Sequence, residues 1–288
     1  GAFYETIILM TLCEIIIIDN EEVRMSIKEW PISYWHYVPA SSSPIQMMRG
    51  AMKCMHCGGV KEGETVLIST DTNKLRIAEA LAGAAYAVGA TPIIMMIPPV
   101  KTHGAQLPEP IVAAFREADV FLQPTTWSQT HTRARVEAIK AGRRGSTMCE
   151  ITEDALCLGA VEADYEACDR LGRKLGAMLA ETKEVRITSL GGTDITGNVT
   201  GRPVQYETGL FRNPGQFAAF PDSEINISPL EGTAEGKIVG DVSVMSVGVT
   251  MYDPVTLIVK AGRVVDIQGG MAAKQLWETF KSLGDERA

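Results

Sequence analysis

Apolar and polar positions change rhythm three times along the chain. Residues 1–46 begin with "ETIILMTLCEIIIID", a β-branched run that reads as a strand. The stretch "EWPISYWHYVPASSSP" follows, an irregular mixture of aromatics, prolines and serines that fits a linker or docking arm. From about residue 47 the pattern becomes regular. "GETVLISTD", "TPIIMMIP" and "DVFLQPT" are short apolar runs of strand length. "NKLRIAEALAGAAYAVGA", "EPIVAAFREA" and "HTRARVEAIKAG" carry helical spacing, the first closed by Gly89 and the last by Gly142. Strand–helix alternation predicts a parallel sheet with right-handed crossovers. "ALCLGAVEADYEACDRLGRKLGAMLAET" reads as helical and bridges to a second half. There, "EVRITSLGGTDIT", "SEINISP" and "GKIVGDVSV" are strands separated by glycine turns, and "VTLIVKAGRVVDIQGG" alternates as a hairpin does. "MAAKQLWETFKSLGDERA" reads as a closing helix. The expected fold is an α/β N-terminal domain with a parallel sheet (47–183), followed by a β-rich, α+β domain (184–288), with residues 1–46 as an atypical extension.

Composition narrows the class. The chain has 288 residues, 45% of them hydrophobic and 22% charged, enough for two globular domains. A net charge of −8 without any basic block argues against nucleic acid as a partner. The apolar run "IILMTLCEIIIID" is shorter than the ~20 residues a bilayer span needs, and Glu14 interrupts it. It also lacks the basic start of a secretory signal. The expectation is a soluble cytoplasmic protein without a membrane partner. Of six cysteines, Cys54 and Cys57 form the one CxxC. A zinc site needs two further ligands; His56 supplies at most one, and no second CxxC exists. The alternative is a helix end running into Gly58–Gly59 with reduced thiols, as intracellular cysteines normally are.

Candidate chemistry is sparse. GxGxxG, GxxxxGK[ST] and GxSxG are all absent. "TDTNK" follows a strand but lacks the glycines of a phosphate cradle. "THTRAR" lies between a strand end and a helix start, where open α/β sheets bind ligands. Thr130 or Thr132 can cap that helix, and Arg133 and Arg135 fall in its first turn. His131 is thus a pocket candidate, against the alternative of a loop-fixing histidine. "PDSEINISPLEGTAEG" carries Glu224, Glu231 and Glu235, carboxylates suited to binding a cation or to acid–base work, or else to a solvated turn. "GGTDIT" places Thr193 and Asp194 on another strand–turn, where Asp194 can also cap its own turn.

Taken in order, "GETVLISTD", "GAAYAVGATPIIM", "ADVFLQPTTWSQTHTRAR", "ITEDAL", "VRITSLGGTDIT", "FPDSEINISPLEGTAEG" and "AGRVVDIQGG" resemble the thermophilic metallo-aminopeptidases of the aminopeptidase T type. That superfamily also contains 2,5-dihydroxypyridine 5,6-dioxygenase, an iron enzyme that opens a pyridine ring. The resemblance covers roughly residues 47–284. It implies a fold of the kind read above, commonly dimeric, so a homodimer is expected. In the aminopeptidase branch two divalent metals (zinc, cobalt or manganese) are held first by a glutamate in a proline–x–x–Glu stretch, which "PDSE" matches at Glu224. In the dioxygenase branch a histidine and a late His-x-Asp hold one iron. "PG…FP" and the "GG" before an alanine-rich helix lean toward that branch.

The resemblance also implies a histidine, a tyrosine and a His-x-Asp pair later than any residue here. Histidines end at His131 and the chain at Ala288. The expectation is an apparently C-terminally truncated β-rich domain lacking that metal-ligand segment. Three functions follow: a metal-dependent, leucyl aminopeptidase-like hydrolase acting on a peptide or small molecule; an iron-dependent ring-cleaving dioxygenase; or a non-catalytic binding module. The assigned roles are Glu224 as metal ligand, Glu231 and Glu235 as catalytic acids, and His131, Arg133, Thr193 and Asp194 as substrate contacts.

Overall fold

A computed structural model describes residues 13–17, 44–244 and 247–284. The expected arm at 18–43 and most of the first apolar run lie outside these. The chain divides into two compact units, one of Ile32–Gly176 with Gln205–Asn226, the other of Gly1–Pro31, Ala177–Val204 and Ile227–Ala288.

In chain order the elements begin with strand β1 (Cys13–Ile17) and helix α1 (Pro44–Cys57). The α/β alternation is β2 (Thr65–Asp71), α2 (Leu75–Ala87), β3 (Thr91–Ile97), α3 (Glu109–Glu117), β4 (Val120–Thr125), α4 (Arg133–Lys140) and β5 (Arg144–Cys149). Helices α5 (Glu153–Cys157) and α6 (Tyr165–Glu181) follow. Then come β6 (Glu184–Ser189), β7 (Asp194–Asn198), β8 (Gln205–Glu207), β9 (Phe217–Ala219), β10 (Glu224–Asn226) and β11 (Glu235–Gly240). The last elements are β12 (Ser243–Val244), β13 (Gly248–Val249), β14 (Val255–Lys260), β15 (Arg263–Gln268) and α7 (Met271–Leu283).

The first unit is built on a parallel sheet of order β3-β2-β4-β5-β9. Its central strands are buried on both faces, as helices on each side require. One face packs Val66, Ile68, Val120 and Leu122 against α1 and α2. The other packs Leu67 and Phe121 against Ile111, Phe115, Ala134 and Ala138 of α3 and α4. Gly145 of β5 must be glycine, because a Cβ there would lie 2.3 Å from the Phe121 carbonyl oxygen and 2.5 Å from its ring. β5 itself, "RGSTMC", has too little apolar content to declare itself, yet it pairs with β4 along its whole length.

The second unit is an antiparallel sheet of order β1-β6-β7-β11-β14-β15. β14 alternates buried and half-buried positions, and Val255 and Leu257 pack on Ala272, Ala273 and Leu276 of α7. The β14–β15 hairpin is as expected. Its two-residue loop, Ala261–Gly262, has positive φ at both positions (47° and 72°), the twist that matches a right-handed strand pair. β1 pairs antiparallel with β6, Cys13 opposite Ser189, and lies within the β-branched run read as a strand.

Two sequence expectations change in detail. The helix read over 155–182 is broken into α5, a 3-10 turn at Gly159–Glu162 and α6, with Gly159 at φ 83° where the chain turns. The boundary at 183/184 is not a single crossing, since residues 205–226 return to the first unit and supply its fifth strand. Three-residue strands such as "FAA" give no periodicity to read. Among the described residues no helix is long and apolar enough to cross a membrane.

Candidate functional site

All five strands of the parallel sheet run the same way, so their carboxyl ends share one edge. The chain goes from β2 outward to β3 and then back across to β4, which makes β2/β4 the switch point where such sheets leave a crevice. The loops after β2 and β4 are tied together there by Asp71. Asp71 is buried, with 2% of its surface exposed. It accepts the backbone N–H groups of Asn73 (3.0 Å) and Thr126 (2.6 Å) and the Thr126 hydroxyl (2.9 Å). Asn73 Nδ2 donates to Thr126 Oγ1 at 3.1 Å, and Lys74 Nζ to the Ile151 carbonyl at 2.7 Å. "TDTNK" is therefore a clamp between loops rather than a phosphate cradle.

Residues 126–132 form the rim. Ser128 N–H donates to His103 Nδ1 (3.1 Å), and the His103 ring stands edge-on to Trp127. His103 Nε2 lies 3.8 Å from the Glu150 carboxylate. Glu150, just past β5, has φ 59°, a strained conformation for a non-glycine residue and one that concentrates at functional sites. His131 is exposed on this rim. Thr132 occupies the N-cap position of α4 but does not cap it; its hydroxyl donates to the Gln129 carbonyl. The two arginines of "THTRAR" diverge. Arg133 pairs with Glu109 and Glu137 on the exposed helical surface. Arg135 is half-buried, donates from Nε to the Thr130 carbonyl (2.6 Å) and stacks 4.9 Å from the Phe217 ring centroid. Burial pulls its pKa down while Glu207 pushes it back.

Beside Arg135 lies a set of carboxylates that the sequence marked only at Glu224. β8 and β10 pair so that Glu224 sits opposite Glu207. Burial, then Glu224 and Asp222, raises the Glu207 pKa, although the Ala219 N–H and Arg135 act the other way. Burial and Glu224 raise Asp222 as well. Glu224 accepts from Asn226 Nδ2 at 2.7 Å. Like charges in a poorly solvated place drive such shifts. Glu207 and Asp222 were missed, whereas Arg135 was already placed in the first turn of its helix. The signal for Glu207 was the strand register, which a three-residue "QYE" does not advertise.

The remaining assigned residues lie in the antiparallel unit, each with a partner there. Asp194 forms a two-pronged pair with Arg186 at 2.8 Å, which lowers its pKa. Thr193 is buried and accepts from the Val239 N–H at 2.9 Å. Glu231 meets Arg202 at 2.5 Å, and Glu235 accepts the Ala261 N–H at 2.6 Å. Among the described residues no group of three or more His, Cys, Asp or Glu could hold a metal ion. Cys54 and Cys57 are buried at the end of α1, where burial raises both thiols, Cys57 to about 12.

A family model described as 2,5-dihydroxypyridine 5,6-dioxygenase matches residues 46–288. No curated protein matches the chain. Among solved structures, the 2,5-dihydroxypyridine dioxygenase from Pseudomonas putida KT2440 superposes with a TM-score of 0.70 at 19% identity, covering 85% of this chain and 74% of that one. Wild-type AmpT from Thermus thermophilus superposes with a TM-score of 0.56 at 17% identity, covering 84% of this chain and 75% of its own.

Proposed function

The chain belongs to the 2,5-dihydroxypyridine 5,6-dioxygenase family, and on that premise we propose that it is a ring-opening dioxygenase of hydroxylated nitrogen heteroaromatics. The family match over residues 46–288 carries this reading. The carboxyl edge of the parallel sheet supports it. An ionised ring hydroxyl would meet the Arg135 guanidinium, already desolvated over Phe217. His131, on the rim after β4, would contact the same ring. Asp71 fixes both loops, so little ordering remains to be done when substrate arrives. Arg133 has less claim than Arg135, because its guanidinium is engaged by Glu109 and Glu137.

Iron is the cofactor this reading implies. Glu224 alone does not make a centre, since first-row metal sites take three or more ligands, and the described residues hold no such set.

A second reading is the aminopeptidase-type hydrolase, with Glu224 as a metal ligand and Glu231 and Glu235 as acids. The carboxylate cluster around Glu224 favours it, as does the likeness to AmpT.

An oxygen electrode separates the two. Iron-loaded protein given 2,5-dihydroxypyridine should consume one O2 per ring lost, followed by the fall in ring absorbance. No oxygen uptake, together with release of p-nitroaniline from leucine p-nitroanilide by zinc- or cobalt-loaded protein, would establish the hydrolase instead. Inactivity in both assays would sink both readings.

A further inference from the structure

Three contacts run from the loop between β3 and α3 to the rim at 126–132 and the start of α4. Gly104 N–H donates to the Ser128 carbonyl at 2.8 Å, and Ser128 N–H donates back to His103 Nδ1 at 3.1 Å. Both backbone groups of Ser128 are thus taken by two adjacent residues of one loop. Gln106 Oε1 accepts the Arg133 N–H at 2.9 Å, a donor of the first turn of α4 that the Thr132 side chain does not cap. The Trp127 ring stands edge-on to the His103 ring and fixes its plane. His103, Gly104 and Gln106 therefore hold both the turn that carries His131 and the helix that carries Arg135.

Of these contacts, the one made by His103 depends on protonation. A neutral imidazole has one N–H and one acceptor nitrogen. Nδ1 accepts from a backbone N–H, so the ring proton belongs on Nε2, which lies 3.8 Å from the Glu150 carboxylate. A second proton would go to Nδ1 and set two donors against each other, Nδ1–H and the Ser128 N–H. The charged ring would still be drawn to Glu150, so it has a place to turn. Around it among the described residues, the rim contributes Trp127 and Ser128, which carry no charge. The end of β5 contributes Glu150 and the Cys149 thiol, which burial pushes up to about 11 and so keeps neutral. Lys74 is engaged at the Ile151 carbonyl, and Lys101, two residues earlier on the same loop, is exposed.

We propose that His103 is a positioning residue for the substrate rim: neutral, it holds Ser128 and with it the His131 turn, and on taking a proton it releases Ser128 and turns to Glu150. What the rim contacts rests on the ring-opening reading; the hold on Ser128 does not. The edge is then assembled in mildly alkaline solution and loosens as pH falls through the range in which histidines gain charge, about 8 to 5.

The test pairs hydrogen exchange at the Ser128 amide, followed by NMR on the full chain, with anaerobic titration of iron-loaded protein with 2,5-dihydroxypyridine. His103→Asn places an amide oxygen near the position of Nδ1 and does not titrate. His103→Leu keeps the bulk and removes the acceptor. Protection of Ser128, taken relative to the intrinsic exchange rate at each pH, should fall about tenfold in the wild type between pH 8 and pH 5. It should stay high in His103→Asn and low in His103→Leu at every pH. At pH 8, His103→Leu should bind the ring roughly tenfold more weakly than wild type, and His103→Asn should restore binding. Binding should weaken toward pH 5 more steeply in the wild type than in His103→Asn, a difference that a merely structural histidine does not produce. Equal Ser128 protection in wild type and His103→Leu, or the same pH profile in wild type and His103→Asn, would overturn the inference. Should His103→Leu fail to fold, the wild type and His103→Asn decide it between them. A wild type that shows the pH-dependent protection of Ser128 yet binds no 2,5-dihydroxypyridine would sink the ring-opening reading and uphold the hold on the rim.

Discussion

The two units use their charges differently. In the antiparallel unit, Asp194, Glu231 and Glu235 sit at turns and strand ends, each engaged by a partner in the same unit. Asp194 is held below its ordinary pKa by Arg186, which is how a solvated ion pair behaves. In the parallel unit, Asp71 is sealed under two loops, Glu207 and Asp222 are raised by burial and crowding, and Arg135 is lowered by burial. Desolvated charges of this kind are difficult to keep and recur at sites that do chemistry. The contrast is the reason for proposing the site at the edge of the parallel sheet, while the acids of the other unit have partners within their own sheet.

Packing gives the largest contrast. Phe121 is fully buried between α3, α4 and β9, so Phe121→Ala should cost ~3–5 kcal/mol in urea unfolding. Val265 on β15 is 48% exposed, and Val265→Ala should stay within about 0.5 kcal/mol. Next comes the clamp. Asp71→Ala strands the Thr126 and Asn73 N–H groups and should cost ~2–3 kcal/mol, with loss of substrate binding. Asp194→Asn, on a half-exposed surface pair, should leave both stability and binding unchanged; equal damage from the two would erase the contrast.

Smaller effects sharpen it. Deleting residues 1–20 removes β1 from the edge of the antiparallel sheet and should lower the melting temperature by a few degrees, since ~1 kcal/mol moves Tm by roughly 2–4 °C in a chain of this size. No change would make the strand dispensable. The smallest effect is in pH dependence. A carboxyl whose folded pKa is raised binds more protons folded than unfolded, so stability falls as pH rises from its ordinary value through the raised one. Glu207→Gln removes that fall. The variant should gain on the wild type in melting temperature as pH goes from 4 to 8, and parallel curves would contradict the burial of this group.

Much of this was readable in advance, and the reasons are local. β2, β3 and β4 are apolar runs bounded by turns, and α2 and α4 stop at Gly89 and Gly142, both at positive φ. The sequence rules for strand length and helix ends suffice for these. β5 and β9 were not readable, because "RGSTMC" and "FAA" take their strand character from neighbours in the sheet rather than from their own side chains. The site split the same way. "THTRAR" follows β4 and leads into α4, as its place between a strand end and a helix start implies. Register and burial, however, set Arg135 facing Phe217 and Arg133 on the surface, and two residues of spacing in a first turn do not reveal which arginine turns inward.

The most direct test of the central claim is an anaerobic binding titration of iron-loaded protein with 2,5-dihydroxypyridine, comparing wild type, Arg135→Gln and Asp194→Asn. The account predicts that wild type and Asp194→Asn bind equally and that Arg135→Gln binds at least tenfold more weakly, the ~1.4 kcal/mol of one charge-assisted contact. Undiminished binding by Arg135→Gln, or loss of binding in Asp194→Asn, would contradict it.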